Sequence, residues 1–235
     1  MTRRRWIADE FSPDRAALIG EHAMHLARTL RARVGQQFEV SCGDQVRRAT
    51  VTSVADDRVE FTLGAEIASS VVRPITLLLA IFKFDRMEWA IEKCTELNVA
   101  SIVPVIARRT EKHLALAAEK RVERWRRIVR ESSQQSRRTA SPLIESPMQL
   151  AEALGINGSL RIVLAENERG VALNELLQSR DTDSLVLAIG PEGGWTEEEL
   201  RSFAGSQWVA ASLGNTILRA ETAAIAAMAI ANANL

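Results

Sequence analysis

The chain has no tyrosine, two cysteines and three histidines among its 235 residues. Without tyrosine, no phenol is available as an acid or a nucleophile. Cys42 and Cys94 fall in an expected strand and an expected helix, with no metal-ligand spacing. That excludes a disulfide framework and a zinc ribbon, and makes a reduced, cytoplasmic protein the expectation. His22, His25 and His113 are too scattered for a metal cluster, so no metal is expected. No apolar run is long enough to span a membrane, and Thr2-Arg3-Arg4-Arg5 is not followed by a signal-peptide core. The net charge is zero, with 46% hydrophobic and 26% charged residues, which is ordinary for a globular protein.

That neutrality hides an uneven distribution. Residues 108–138 hold eleven Arg and Lys against four Glu, a balance of +7, whereas residues 146–235 hold eleven acids against five Arg, a balance of −6. A basic strip on a neutral chain fits a polyanion, or else is a solvated helix face.

Short β-type runs over Arg3–Ile7, Phe38–Cys42, Ala49–Val54 and Val59–Leu63, split by Gly43-Asp44 and Asp56-Asp57, suggest a small β-barrel, with one short helix at Glu21–Arg33. Ala68 to Pro74 reads as a linker. Strand and helix then alternate. The strands are Ile75–Ile81, Ile102–Ile106, Leu160–Leu164, Leu185–Ile189 and Trp208–Leu213. The helices are Arg86–Leu97, Ala115–Arg137, Pro147–Leu154, Leu173–Ser179, Glu197–Gly205 and Ala220–Ala233. Such alternation implies an α/β fold, a parallel sheet with helices on both faces. The expected division is 1–70 and 74–235. Trp6, Trp89, Trp125, Trp195 and Trp208 are expected mostly in the core.

Two strand–loop–helix units carry the candidate chemistry. After Leu185–Ile189 comes Gly190-Pro191-Glu192-Gly193-Gly194-Trp195, then a helix capped by Thr196. The loop is neither a Walker loop nor GxGxxG, yet its glycines allow close backbone approach. A tight turn closed by a Thr196/Glu199 capping box is the plainer account, though it leaves Glu192 unexplained. The second unit is Leu213-Gly214-Asn215-Thr216-Ile217-Leu218, followed by Arg219, Glu221 and Thr222 at the mouth of an Ala-rich helix expected to be buried on most sides. Charges there are costly without partners, so Arg219 and Glu221 either act on a ligand or pair with each other. Loops at the C-terminal ends of parallel strands point to a ligand crevice. Lys83, Lys93 and Glu96 around the first helix of this region read as exposed charges in the first instance.

Four motifs in order carry a family resemblance. They are Lys83…Met87…Glu92-Lys93-Cys94-Thr95-Glu96-Leu97; Glu123-Arg124-Trp125…Gln135-Ser136…Arg138…Pro142; Ile189 to Gly194; and Leu213-Gly214…Leu218-Arg219-Ala220-Glu221-Thr222-Ala223. The chain resembles ribosomal RNA small subunit methyltransferase E over nearly its whole length. The resemblance implies a PUA-like RNA-binding barrel followed by a SPOUT domain with a C-terminal trefoil knot. It also implies a homodimer, S-adenosylmethionine as methyl donor, and methylation of N3 of one uridine in 16S ribosomal RNA. It places donor binding at Leu164, Ile189, Gly190, Glu192, Gly193, Gly194, Leu213, Gly214, Leu218, Thr222 and Ala223. Catalysis falls to Arg219, with Glu221, Glu192 or water as the base, and RNA binding to Arg3, Arg4, Arg28, Arg31, Lys83, Arg124, Arg127 and Arg138. The chain departs from the family pattern at Asn98, Ala140 and Asn215-Thr216. Methylation of another RNA atom, such as a ribose 2′-hydroxyl, and a non-catalytic ribosome assembly factor are the alternative readings.

Overall fold

A computed structural model describes residues 5–43, 45–67, 74–168, 170–180 and 182–234. Arg3, Arg4 and most of the expected linker lie outside these. The chain forms two compact units, residues 1–71 with 131–141, and residues 72–130 with 142–235. The second unit is thus interrupted in sequence by residues 131–141.

The first unit carries strands β1 (Arg5–Ile7), β2 (Glu10–Phe11), β3 (Arg15–Ile19), β4 (Gln37–Cys42), β5 (Gln45–Val54) and β6 (Arg58–Ile67), in the sheet order β1-β4-β5-β6-β3-β2. β1 runs parallel to β4, and the other pairings are antiparallel. Alternation along β6 buries Val59, Phe61 and Leu63, which join Trp6, Leu18, Phe38, Val40 and Val51 in one core. β2 and β3 were not expected. The helix expected over Glu21–Arg33 is shorter and irregular: α1 (Glu21–Met24) runs into a π-helical turn, His25–Thr29. There Leu30 N–H reaches the His25 carbonyl and Ala32 N–H the Leu26 carbonyl, a widening that sets Leu26 and Ala32 into the core.

The second unit is a parallel sheet. Its strands are β7 (Ile75–Ala80), β8 (Ser101–Ile106), β9 (Leu143–Ile144), β10 (Met148–Gln149), β11 (Leu160–Leu164), β12 (Leu185–Ile189) and β13 (Val209–Ala211), ordered β10-β8-β7-β12-β11-β13 with β9 also on β8. The helices are α2 (Phe84–Glu96), α3 (Lys112–Ala118), α4 (Val122–Gln135, of which residues 131–135 count with the first unit), α5 (Leu150–Ala153), α6 (Leu173–Gln178), α7 (Glu197–Gly205) and α8 (Ala220–Asn234). Alternate residues of each central strand enter different cores. Leu77, Leu79, Leu187 and Ile189 pack with Met87, Trp125, Leu173 and Met228. Leu78, Ala80, Val186 and Ala188 pack with Leu150, Trp195, Phe203 and Trp208. Burial on both faces is why these strands read as unbroken apolar runs.

Some expectations change. The helix expected over Ala115–Arg137 is two, divided by a 3₁₀ turn at Glu119–Arg121. In Pro147–Leu154 the chain pairs as β10 before a single helical turn. α8 buries one stripe, Ala220, Glu221, Ala224, Ala227, Met228 and Ala231, and is not buried on most sides: Thr222, Ala229, Asn232 and Ala233 are exposed. Trp89 is also exposed, while the other four tryptophans are core. Burial pushes the Cys94 and Cys42 thiols above their ordinary range, which suits packing rather than reactivity. Among the described residues no helix is long and apolar enough to cross a membrane.

Candidate active site

A cavity of about 260 Å³ opens where β11, β12 and β13 end. Three consecutive stretches line it, 164–167, 189–195 and 211–218, together with Arg109, Glu197, Leu200, Ala220 and Ala223. The strands are neighbours in the sheet, so the loops leaving their C-terminal ends converge.

The loop after β12 is held from several sides. Gly194 has φ +67°, a left-handed conformation that side chains disfavour, and its N–H closes a turn on the Pro191 carbonyl at 2.8 Å. Gly190 lies against the Trp195 indole, where an added Cβ would stand 3.2 Å from Nε1. Gly193 lies against the Arg109 side chain, whose guanidinium donates to the Gly193 carbonyl. The capping box is present: the Thr196 hydroxyl accepts from Glu199 N–H, and the buried Glu199 carboxylate accepts from Thr196 N–H at 2.8 Å. Glu199 also accepts the Arg108 N–H at 2.7 Å, which ties the loop after β8 to this one. The turn and cap therefore account for the glycines and Thr196. Glu192 remains free of that scheme and faces the cavity.

Charge is arranged differently from the expectation. Arg219 and Glu221 do not pair. Arg219 is exposed, outside the cavity lining, and its carbonyl accepts the first α8 hydrogen bond from Ala223. Its side chain makes no hydrogen bond or ion pair among the described residues. The cost of an unpaired buried charge thus gives no reason for its presence. Glu221 is buried, and its cationic neighbour is Arg86, with Oε1 3.9 Å from Nε. The same guanidinium has Nη1 3.7 Å from Glu192 Oε1. One arginine at the start of α2 thereby joins the loop after β12 to the first turn of α8. Sequence reasoning missed it, because no local pattern marks a residue whose partners lie so far along the chain.

Of the expected donor-binding residues, Leu164, Ile189, Gly190, Glu192, Gly193, Gly194, Leu213, Gly214, Leu218 and Ala223 line the cavity, and Thr222 does not. Thr222 follows the buried Glu221 on the helix and points to the exposed side. Of the two carboxylates expected to serve as base, Glu192 lies on the cavity and Glu221 does not. Missed lining residues include Arg109, Glu166 and Asn167. The alternation of strands could have supplied the last two, since they follow β11 as the other loops follow β12 and β13.

The expected RNA-binding residues are dispersed. In the first unit, Arg28 is exposed and ion-paired with Asp56 at 2.7 Å, Arg31 is exposed with φ +52°, and burial lowers the half-buried Arg138 to about 10. In the second unit, Lys83 and Arg127 are exposed, and Arg124 is bound to Glu88 at 2.7 Å. Glu96 is exposed as expected, but Lys93 is half-buried and pairs with Glu92 and Glu96.

The RNA methyltransferase domain profile matches residues 69–232. A ribosomal RNA small subunit methyltransferase E from Synechocystis sp. is 33% identical over 216 residues, spanning 90% of this chain and 70% of the relative. The chain belongs to the ribosomal RNA small subunit methyltransferase E family. A family member from Bacillus subtilis is 29% identical, over 90% of this chain and 87% of its own. The crystal structure of the methyltransferase E from Neisseria gonorrhoeae bound to S-adenosyl methionine superposes with a TM-score of 0.85 at 30% identity, covering 97% of this chain and 96% of that one. A putative methyltransferase from Legionella pneumophila, in complex with SAM, superposes with a TM-score of 0.85 at 28% identity, covering 99% and 98%. The family's fold thus extends over both units.

Proposed function

We propose that this protein methylates N3 of a uridine in 16S ribosomal RNA of the small subunit, with S-adenosylmethionine as donor. The observation that carries the reading is the cavity at the ends of β11, β12 and β13. Among the described residues its lining combines apolar side chains (Leu164, Ile189, Leu213, Leu218) with backbone of two loops and three carboxylates, Glu166, Glu192 and Glu197, against one guanidinium, Arg109. Apolar walls suit an adenine, backbone amides suit its edge, and a net negative lining suits a donor with a sulfonium and an ammonium. At about 260 Å³ the cavity falls just below the ~300–1,000 Å³ usual for small-molecule sites. The names of the relatives and the donor-bound neighbours support the same substrate and donor.

When bound, the donor supplies an electrophilic methyl group on a good leaving group. The chain has to bind, orient and activate the acceptor. Uridine N3 is protonated at neutral pH, so the proton must leave or the resulting anion be stabilised. In our reading Arg219 is free to turn its guanidinium toward a uracil carbonyl, and Glu192 or water takes the proton. Presenting N3 requires an unpaired base, because N3 lies on the Watson–Crick edge. The first unit is the RNA-binding module in this reading, a PUA-like barrel joined by residues 131–141 as well as the expected 1–70, and the rest of residues 74–235 is the SPOUT domain with its trefoil knot. Exposed Arg31, Lys83 and Arg127, with Arg3, Arg4, Arg28, Arg124 and Arg138, contribute to RNA contact. The protein acts as a cytoplasmic homodimer. The partly exposed Ile225, Ala226 and Ile230 on α8 offer small and apolar contacts for the symmetric interface. Calorimetric titration with S-adenosylmethionine tests the donor, and sedimentation tests the dimer.

A further inference from the structure

Among the described residues, Arg86, Glu192 and Glu221 form a charge network that links the loop after β12 to the first turn of α8, and its members differ sharply in exposure. The Glu221 side chain is 7% exposed, while those of Arg86 and Glu192 are 34% and 32% exposed. Oxygen Oε2 of Glu221 is enclosed and makes no hydrogen bond among the described residues. A carboxylate so placed is expensive unless a cation compensates it. Arg86 supplies that cation from the first turn of α2, a helix fixed by the buried Met87, Ala90, Ile91 and Cys94. Glu221 lies outside the cavity lining, whereas Glu192 is part of it. The guanidinium meets the two carboxylates through different nitrogens, Nε and Nη1, which a lysine could not reproduce with one ammonium.

We infer that Arg86 is a positioning residue, anchored by buried Glu221, that holds the Glu192 carboxylate in place at the cavity. Glu221 acts through Arg86 and does not touch the substrate. Order passes from the buried carboxylate, to the arginine on a rigid helix, to the carboxylate on the loop. α8 follows the loop after β13, so this link also fixes the loop after β12 against the start of that helix. The role rests on the proposed methyl transfer, but the pairing itself does not.

Two mutant cycles on the full-length protein test it. In the first, melting temperatures of donor-free wild type, Arg86→Gln, Glu221→Gln and the double variant are compared. Arg86→Gln should melt lower, because it leaves a buried carboxylate without its cation, and adding Glu221→Gln should restore much of the loss. An unchanged melting temperature in Arg86→Gln, or additive losses in the double variant, would overturn the anchoring. In the second, single-turnover transfer to small-subunit RNA is measured at saturating donor for wild type, Arg86→Gln, Glu192→Gln and their double variant, with donor affinity by calorimetry. Arg86→Gln should slow transfer on the order of 10²-fold, as expected when a reacting geometry is displaced by about an ångström. That effect should vanish in the Glu192→Gln background, and Arg86→Lys should recover part of the rate. A purely structural role would leave the Arg86→Gln effect undiminished beside Glu192→Gln, and this result would overturn the proposal. If Arg86→Gln alone does not fold, the Arg86→Gln/Glu221→Gln double variant should fold and carries the second cycle in its place; a double variant that also fails to fold would overturn the anchoring. A wild type that binds no donor would refute the functional reading alone, since the melting cycle needs no donor.

Discussion

Replacing Gly194 tests whether the loop after β12 shapes the donor site. Gly194 sits at φ +67°, and an added Cβ would stand 3.7 Å from the Glu166 carboxyl carbon, an ordinary contact. The obstacle is therefore conformational and not steric. A non-glycine residue in this region costs ~1–2 kcal/mol, and a β-branched one more. The loop can relieve that strain by giving up the Gly194 N–H bond to Pro191 and moving off the cavity. If the donor requires the native loop, the strain is charged against binding, and 1–2 kcal/mol corresponds to a factor of roughly 5–30 in affinity. Gly194→Ala should therefore weaken S-adenosylmethionine by about that factor. Gly194→Val should bind below detection, because a β-branched residue is the most strained in this backbone region. Gly194→Asn, which tolerates this backbone, should lose least. Calorimetry gives the affinities, and the far-UV spectrum and melting curve show whether the fold persists. A folded Gly194→Val protein with wild-type donor affinity would refute the reasoning.

Other outcomes follow from the same geometry. Arg219→Ala should lower kcat on the order of 10²-fold, as lost oxyanion donors do, with donor affinity little changed and partial recovery as pH approaches the uridine N3 pKa; loss of donor binding with an unchanged single-turnover rate would show that Arg219 only holds the loop. Arg127→Ala should weaken RNA binding and flatten its salt dependence by ~0.7–0.9 in slope for each phosphate no longer neutralised, more than Arg124→Ala, whose charge Glu88 already offsets. Equal, unchanged slopes would return the helix to a solvated face. Trp125→Ala, which empties a fully buried site, should cost about 3–5 kcal/mol in chemical denaturation.

The parts of the structure legible in the sequence were those written in local pattern. Leu185–Ile189 is an unbroken apolar run, Leu160–Leu164 one interrupted only by Arg161, and Glu197–Gly205 begins with a capping box; all three match the observed bounds. The glycine-bearing loops after Leu185–Ile189 and Trp208–Leu213 marked the cavity, while the loop after Leu164, without such a signal, was missed. β3 (Arg15–Ile19) was missed because Arg15-Ala16-Ala17-Leu18-Ile19 has no alternation: Ala16, Ala17 and Leu18 are all buried. The π-helical turn at His25–Thr29 has no sequence signature, since tertiary packing of Leu26 selects it. Arg219 and Glu221, two residues apart, invited pairing with each other. On a helix such residues face different directions, so Glu221 turns inward to Arg86 and Arg219 outward. Long-range ion pairs of this kind, and the grouping of residues 131–141 with the first unit, exist only once the chain is folded.

The central claim is tested most directly in the RNA. Small-subunit ribosomal RNA from a strain lacking this protein, and the same RNA after incubation with purified protein and S-adenosylmethionine, can be digested to nucleosides and resolved by mass spectrometry. The account predicts that one N3-methyluridine is missing from the deletion strain and restored by the protein. An unchanged N3-methyluridine content, or loss of a ribose-methylated nucleoside in its place, would contradict it.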